Sequence, residues 1–349
     1  MKENCILVDW KPSASWDFQQ ELEKQTKETW TVKGVKASDS FHNTLQKIVK
    51  HYIPYFLFPF SIFLRRNKYR MIIGWQQFFG LILAYYCRLF RVKKYPKIVI
   101  LTFIYKEKKG KIGKLYFSFL KNILQSKYIH KIIVYSQNEK EYYSRLFELR
   151  EGLIASCIYT GNEGEAVVNQ YIAEEKGCLD KKYFIAPGRS NRDYEFLVRE
   201  LADTDYQVAI VCDNYKSERV SDNIKIYRDT FAEQYIEMLQ NAYAVIVPLL
   251  DDNISSGQLV FLKAMQYGKP IIVTKNKSIV DYVKNDANGC IIEKDGNQLR
   301  TKMDQLLHNH EYYKAMSKQA NVSYNQMFKT EFFVQQIVEC VEGCSEYGI

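Results

Sequence analysis

Short runs rich in Ile, Val and Leu punctuate this chain, separated by longer segments in which apolar residues recur every three or four positions. The first pattern predicts strands buried on both faces, and the second predicts amphipathic helices. In the first half, strands are expected from Cys5 to Asp9, Arg70 to Trp75, Lys97 to Ile104 and Lys131 to Tyr135. Helices are expected from Phe18 to Thr26, Phe78 to Leu89, Lys111 to Gln125 and Glu139 to Phe147. From Gly161 to Lys182 the chain turns polar and loses strand pattern. The alternation then resumes, with strands from Tyr183 to Ala186, Gln207 to Cys212, Ile224 to Tyr227, Ala244 to Leu250 and Pro270 to Thr274. Helices are expected from Tyr194 to Asp203, Ala232 to Asn241, Gln258 to Tyr267 and, after a break near Asn325, Glu331 to Val341. Repeated βα units build doubly wound parallel sheets. The fold class is therefore α/β with two Rossmann-like domains, 1–160 and 183–325, joined by 161–182 and followed by a terminal segment, 326–349.

A chain of 349 residues suits two cores better than one. Its 47% hydrophobic and 26% charged fractions are those of a folded soluble protein. Charge changes the picture more. Residues 1–150 carry 28 Lys+Arg against 11 Asp+Glu, net +17, and residues 151–349 carry 21 against 29, net −8, which together give +9. Between Asp39 and Glu107 there is no acidic residue. Such a field concentrates an anionic partner: a phospholipid headgroup, a lipid pyrophosphate or a nucleic acid. Nucleic acid fits least, because the aromatics lie in apolar runs and are not interleaved with basic residues.

The run Tyr52 to Leu64, YIPYFLFPFSIFL, is too short for a spanning helix. Flanked by Lys47, Lys50, Arg65, Arg66, Lys68 and Arg70, it predicts a surface dipping into the headgroup zone of an anionic membrane, or else a core helix with basic ends. The eight cysteines show no Cys-x-x-Cys pair, and MKENCILVDW enters a strand with no apolar leader, so a cytoplasmic, peripheral location is expected.

Ligands of open parallel sheets bind beyond the carboxyl ends of strands. In the segment VIVPLLDDNISSGQLVFLKAMQYGKPIIVT, from Val245 to Thr274, a strand leads through a polar turn to a helix that begins at Ser255, Ser256, Gly257 and Gln258. Small residues there leave backbone N–H groups open to an anion. After the strand at Tyr183 comes APGRSNRD, where Gly188 permits close backbone approach and Arg189 and Arg192 offer forked donors to a diphosphate. Asn191 and Asp193 serve equally well as helix caps. Asp213 and the loop carrying Arg228 and Phe231 follow the next strands. In the first half, the corresponding loops hold Asp9, Trp10, Ser13, Trp16, Asp17, Trp75, Gln76 and Lys106. Indole faces stack on sugar rings and carboxylates accept hydroxyl protons. These are candidate saccharide-acceptor residues, with Asp9 the first choice for a general base and Asp17 the second.

Leu262, Ala264, Met265, Gly268, Lys269, Pro270 and Ile271 keep the order of L-E-A-M-A-x-G-K-P-V-I. The segment thus resembles the donor-nucleotide motif of GT-B glycosyltransferases of the "glycosyl transferases group 1" type. Two positions depart, because the acidic pair spaced eight apart falls on Ser255 and Lys263. The resemblance implies two domains facing a cleft, a terminal helix crossing back to the first domain, and a nucleotide-sugar donor, UDP-sugar favoured. It implies Gly188 and Arg189 at the diphosphate, where the usual Lys is missing and Arg192 is the candidate substitute, and it places the loop of Arg228 and Phe231 near the nucleobase, with Asp213 a further donor-side candidate. Neither metal nor cofactor is implied despite the Asp251-Asp252 pair, since Arg, Lys and helix N-termini neutralise the diphosphate in such enzymes. A retaining outcome is favoured over an inverting one. Lys263 reaches either the diphosphate or an acidic donor sugar, or it faces solvent while Gln258 meets the donor. The implied activity is glycosyl transfer to a lipid-linked or saccharide acceptor in bacterial surface polysaccharide synthesis, and the alternative is a non-catalytic relative. A two-domain Rossmann dehydrogenase is a weaker alternative, because no strand is followed by Gly-x-Gly-x-x-Gly.

Overall fold

The computed structural model describes residues 2–12, 16–36, 52–160, 182–217, 221–230, 232–252 and 254–342. The chain divides into two units, Met1–Cys157 with Phe333–Ile349, and Ile158–Phe332.

Unit 1 is built on a six-stranded sheet: β1 (Glu3–Val8), β2 (Trp30–Gly34), β3 (Tyr69–Gly74), β4 (Lys97–Ile100), β5 (Ile129–Val134) and β6 (Ile154–Ser156). The order is β2-β1-β3-β4-β5-β6 with every pairing parallel. The helices are α1 (Asp17–Thr26), α2 (Ile53–Leu64), α3 (Gln77–Leu89), α4 (Gly110–Leu124) and α5 (Gln137–Phe147). Helix α3 lies tightly on β3 because Gly74 and Gly80 face each other; a Cβ at Gly74 would sit 2.9 Å from the Gly80 nitrogen. Strand β4 ends at Ile100, four residues before the end expected from its hydrophobicity. Thr102 takes φ 60° there, so Leu101, Phe103 and Tyr105 are buried as loop. Strands β2 and β6 escape the pattern, being short and mostly half-buried. A last helix, α11 (Thr330–Glu342), sends Phe333 against the rings of Phe18 and Tyr135 and accepts at the Val341 oxygen from His130 Nε2, 3.0 Å away.

Unit 2 repeats the plan with β7 (Tyr183–Pro187), β8 (Gln207–Val211), β9 (Ile224–Tyr227), β10 (Ala244–Val247), β11 (Ile271–Thr274) and β12 (Cys290–Ile292). Their order is β12-β11-β10-β7-β8-β9, again parallel. The helices are α6 (Tyr194–Leu201), α7 (Ala232–Asn241), α8 (Gln258–Gln266), α9 (Gly296–His308) and α10 (His310–Met327). The break expected near Asn325 falls instead at Phe328 and Lys329. Asn325 stays within α10, donating back to the Asn321 carbonyl at 3.0 Å.

The two strand orders locate two crevices. In unit 1 the chain steps from β1 outward to β2 and then returns to the other side of β1 as β3. In unit 2 it steps from β7 to β8 and β9 and returns beside β7 as β10. A crevice opens beyond the carboxyl ends of the strands wherever the winding reverses in this way.

Candidate functional site

At the reversal of unit 2, the loop after β7 meets the loop after β10. Gly188 has φ 128°, a backbone conformation that side chains disfavour, and a Cβ there would lie 2.7 Å from Arg192 Nη2. The absent side chain lets the Arg192 guanidinium fold over the Gly188 backbone. Its Nε donates to the Pro187 oxygen at 3.2 Å and its Nη1 to the Ser190 oxygen at 2.8 Å. Burial lowers its pKa, opposed by the Tyr194 and Tyr235 hydroxyls and the Cys212 thiol. Among the described residues no carboxylate forms an ion pair with it. Arg192 is half-buried, and a partly desolvated cation lacking a counter-ion is disposed to take up an anion.

Asn191 ties the two loops together. Its Nδ2 donates to Ser256 Oγ at 2.6 Å, and its Oδ1 accepts from the Asp251 N–H at 2.8 Å. Asp193 caps α6, accepting from the Phe196 N–H at 3.1 Å, so of the two residues read as caps only Asp193 serves as one. Gly257, at φ 92°, gives α8 no side-chain cap; the Val260 and Phe261 N–H groups donate to the Gly257 oxygen at 2.9 and 3.0 Å, which leaves the Gln258 and Leu259 N–H groups open at the crevice end of the helix among the described residues. Gln258 is buried there and donates to the buried hydroxyl of Ser255.

The other expected donor residues separate. Arg189 is 67% exposed and pairs with Asp213. Asp213 also accepts from the Asp229 N–H at 3.0 Å, and Arg228 donates to the Tyr215 oxygen at 3.1 Å, so these groups brace the loops after β8 and β9. Phe231 lies outside the described residues. Lys263 stands on the later half of α8, its ammonium donating to Gln266 Oε1 at 2.9 Å and lying 5.7 Å from the Tyr267 ring centroid. Lys294 enters unannounced: it pairs with Asp193 at 3.3 Å and donates to the Leu250 oxygen at 2.8 Å. It follows β12, a three-residue strand too short to read from periodicity, so nothing in the sequence flagged its loop. No three His, Cys, Asp or Glu side chains converge as metal ligands among the described residues.

The reversal of unit 1 gathers Asp9 and Trp10 after β1 with Trp75 and Gln76 after β3. Trp10, Trp16 and Trp75 meet edge-on with centroids 4.8–6.1 Å apart. Phe18 backs both Trp16 and Trp75, a partner that sequence reading assigned only to a helix. All three indoles are half-buried, and none of their N–H groups finds an acceptor among the described residues. Gln76 caps α3 through its Oε1, which accepts from the Phe78 N–H at 2.9 Å, and donates through Nε2 to Asp9 Oδ2 at 3.2 Å. Asp17 is exposed at the first turn of α1, where a carboxylate suits the helix dipole. Lys106 is exposed between β4 and α4, and Ser13 lies outside the described residues.

Residues 211–322 match the family model described as Glycosyl transferases group 1. Among solved structures, Anabaena Alr3699/HepE in complex with UDP-glucose aligns with a TM-score of 0.68 at 12% identity, covering 99% of this chain and 100% of that one. Sucrose-phosphate synthase from Thermosynechococcus elongatus aligns at 0.68 and 14% identity, covering 98% of each. WaaG, a glycosyltransferase involved in lipopolysaccharide biosynthesis, aligns at 0.64 and 11% identity, covering 98% of this chain and 100% of that one. No curated protein matches. The fold is GT-B. Within this GT-B chain the family match takes in Asp213, Arg228, the start of α8 and Lys263. Gly188, Arg189 and Arg192 precede it, and the tryptophan cluster lies wholly outside it.

Proposed function

We propose that the chain is a glycosyltransferase that takes a sugar from a nucleotide-sugar donor, UDP-sugar favoured, bound at the β7/β10 crevice. The observation that carries this reading is Arg192, a half-buried cation with no counter-ion among the described residues, lying over Gly188 in the crevice that also receives the uncapped start of α8. The leaving diphosphate develops charge as the glycosidic bond breaks, and a guanidinium fork with open amides stabilises that charge without a metal ion. The neighbour solved with UDP-glucose supports the choice of nucleotide. In a retaining reaction the departing phosphate takes the acceptor's proton, and in an inverting one Asp9 is the base. Retention is favoured. The acceptor, a saccharide or lipid-linked saccharide of bacterial surface polysaccharide synthesis, stacks on Trp10, Trp16 and Trp75, with Gln76 and Lys106 as polar contacts.

No described helix is long and apolar enough to cross a membrane. Exposed Phe56 and Leu57 of α2, with Ile112 and Leu115 of α4 among lysines, favour peripheral contact with an anionic inner leaflet. A second reading, a GT-B protein that binds without turnover, draws on Ser255 and Lys263 in place of the acidic pair.

Two measurements test the proposal. UDP and UDP-sugars should raise the melting temperature, whereas a panel of UDP, GDP and their sugars without effect would sink the donor assignment; turnover of a UDP-sugar separates enzyme from binder. All four tryptophans, 10, 16, 30 and 75, lie in unit 1, and Trp30 is buried. Intrinsic fluorescence should therefore change on titration with acceptor oligosaccharide, and a flat titration would remove the acceptor assignment.

A further inference from the structure

At the amino ends of β4 and β5, on the sheet edge opposite the tryptophan cluster, lies a cavity of about 170 Å³ lined by Tyr95, Lys97, Lys127, Tyr128, His130 and Arg150, among others. Its side chains include four basic groups and no carboxylate. Lys97 and Lys127 are exposed, and among the described residues neither ammonium has a hydrogen-bond or ion-pair partner; that of Lys127 lies 5.5 Å from the Tyr128 ring centroid. Arg150 is held in place by donating to the Ser126 oxygen at 3.1 Å and the Ile129 oxygen at 2.7 Å. Tyr95 and Tyr128 meet edge-on at 4.8 Å and form an apolar wall.

We propose that this cavity binds a phosphate group, either as a free phosphate or as the headgroup of an anionic phospholipid. Its volume suits a tetrahedral oxyanion. The lining supplies forked donors from Arg150 and point-charge donors from Lys97 and Lys127, which suit phosphate oxygens. The neighbouring stretch, with exposed Leu89 and Phe90 amid Arg88, Arg91, Lys93 and Lys94, continues the basic, apolar character outward.

His130 reports occupancy. Its Nε2 must carry a proton to donate to the Val341 carbonyl of α11, leaving Nδ1 to titrate. Burial lowers its pKa first, opposed by that hydrogen bond; the charged groups that face it, Lys97 of β4, Lys131 of β5 and Arg150 after α5, all lower it further. A bound oxyanion offsets the field of these cations, so occupancy raises the His130 pKa from its lowered value.

The test uses the full chain and follows the His130 ring protons by NMR, assigned with His130→Gln, while inorganic phosphate is added. The His130 pKa should rise in the wild type, and in Lys97→Gln/Lys127→Gln phosphate should bind at least tenfold more weakly. Both substitutions are at exposed positions and spare the fold. Vesicles of phosphatidylcholine with phosphatidic acid form the second arm. A lysine-dependent response to these vesicles but not to free phosphate assigns the headgroup as ligand, and a response to phosphate alone assigns the free ion. If neither probe shifts His130, or the double variant binds both as the wild type does, the proposal fails. UDP binding in unit 2 is a separate measurement and stands or falls independently.

Discussion

Arg192 is where the charge balance of unit 2 is most uneven. A half-buried guanidinium with two backbone acceptors and no carboxylate partner among the described residues contributes little to the stability of the empty protein, because its desolvation is incompletely offset. Arg192→Met keeps the length and apolar stem. The melting temperature without ligand should stay the same or rise, while UDP affinity, read by calorimetry, should fall about 10- to 100-fold, the worth of charged hydrogen bonds of about 1.5–3 kcal/mol. Equal loss of stability and affinity would mean a structural arginine. Arg189 is exposed and already paired with Asp213, so Arg189→Ala tests the same diphosphate from outside the fold's core. It should weaken UDP binding without lowering stability, and unchanged affinity would leave Arg192 alone at the phosphates. Sequence reading found both arginines by their place after a strand. What separates them, partial burial without a counter-ion among the described residues against exposure with one, depends on which loops meet and has no signature in the local pattern.

The start of α8 turns on one backbone angle. A Cβ at Gly257, whose φ is 92°, would lie 3.1 Å from Val247 Cγ1, so Gly257→Ala meets both strain and contact. It should destabilise the protein by about 1–3 kcal/mol in urea unfolding and misalign the open amides. Full stability in that variant would show that the left-handed turn is dispensable. At the other end of the helix the ammonium of Lys263 is held by Gln266, and Lys263→Ala should change UDP affinity less than about threefold, the effect of an ordinary surface substitution. A larger loss, measured in the same titration, would return Lys263 to the donor contacts. The helix itself was legible because Val260, Phe261, Ala264 and Met265 repeat at helical spacing and Gly268 stops it. Strands β2, β6 and β12 were not, since three to five residues with few buried positions carry too little alternation to be distinguished from loop. The crevices were only partly legible for the same reason: that loops after strands matter follows from any parallel sheet, but which two loops adjoin depends on strand order, which the chain records only through its folding.

Charge, helix layer and exposed apolar side chains coincide at the scale of the whole molecule. The net +17 lies in residues 1–150. Within that unit α2 packs on α3 and α3 on α4, and their exposed apolar residues include Leu57 at 61%, Leu115 at 72% and Ile112 at 79%. Apolar insertion and electrostatic attraction respond differently to salt. Lysine and arginine near an anionic leaflet contribute about 1 kcal/mol each and are screened as the Debye length shrinks from about 10 Å at 0.1 M to 3 Å at 1 M. Inserted side chains are not screened. Vesicles containing phosphatidylglycerol should therefore sediment the protein at low ionic strength, neutral vesicles should hold less of it, and high salt should release most but not all. Phe56→Glu/Leu57→Glu should remove the salt-resistant fraction while leaving UDP affinity unchanged, because both residues belong to unit 1. Binding that is indifferent to lipid charge, or a double variant that sediments like the wild type at every salt concentration, would make α2 an ordinary surface helix and leave the positive field of unit 1 to serve the acceptor alone.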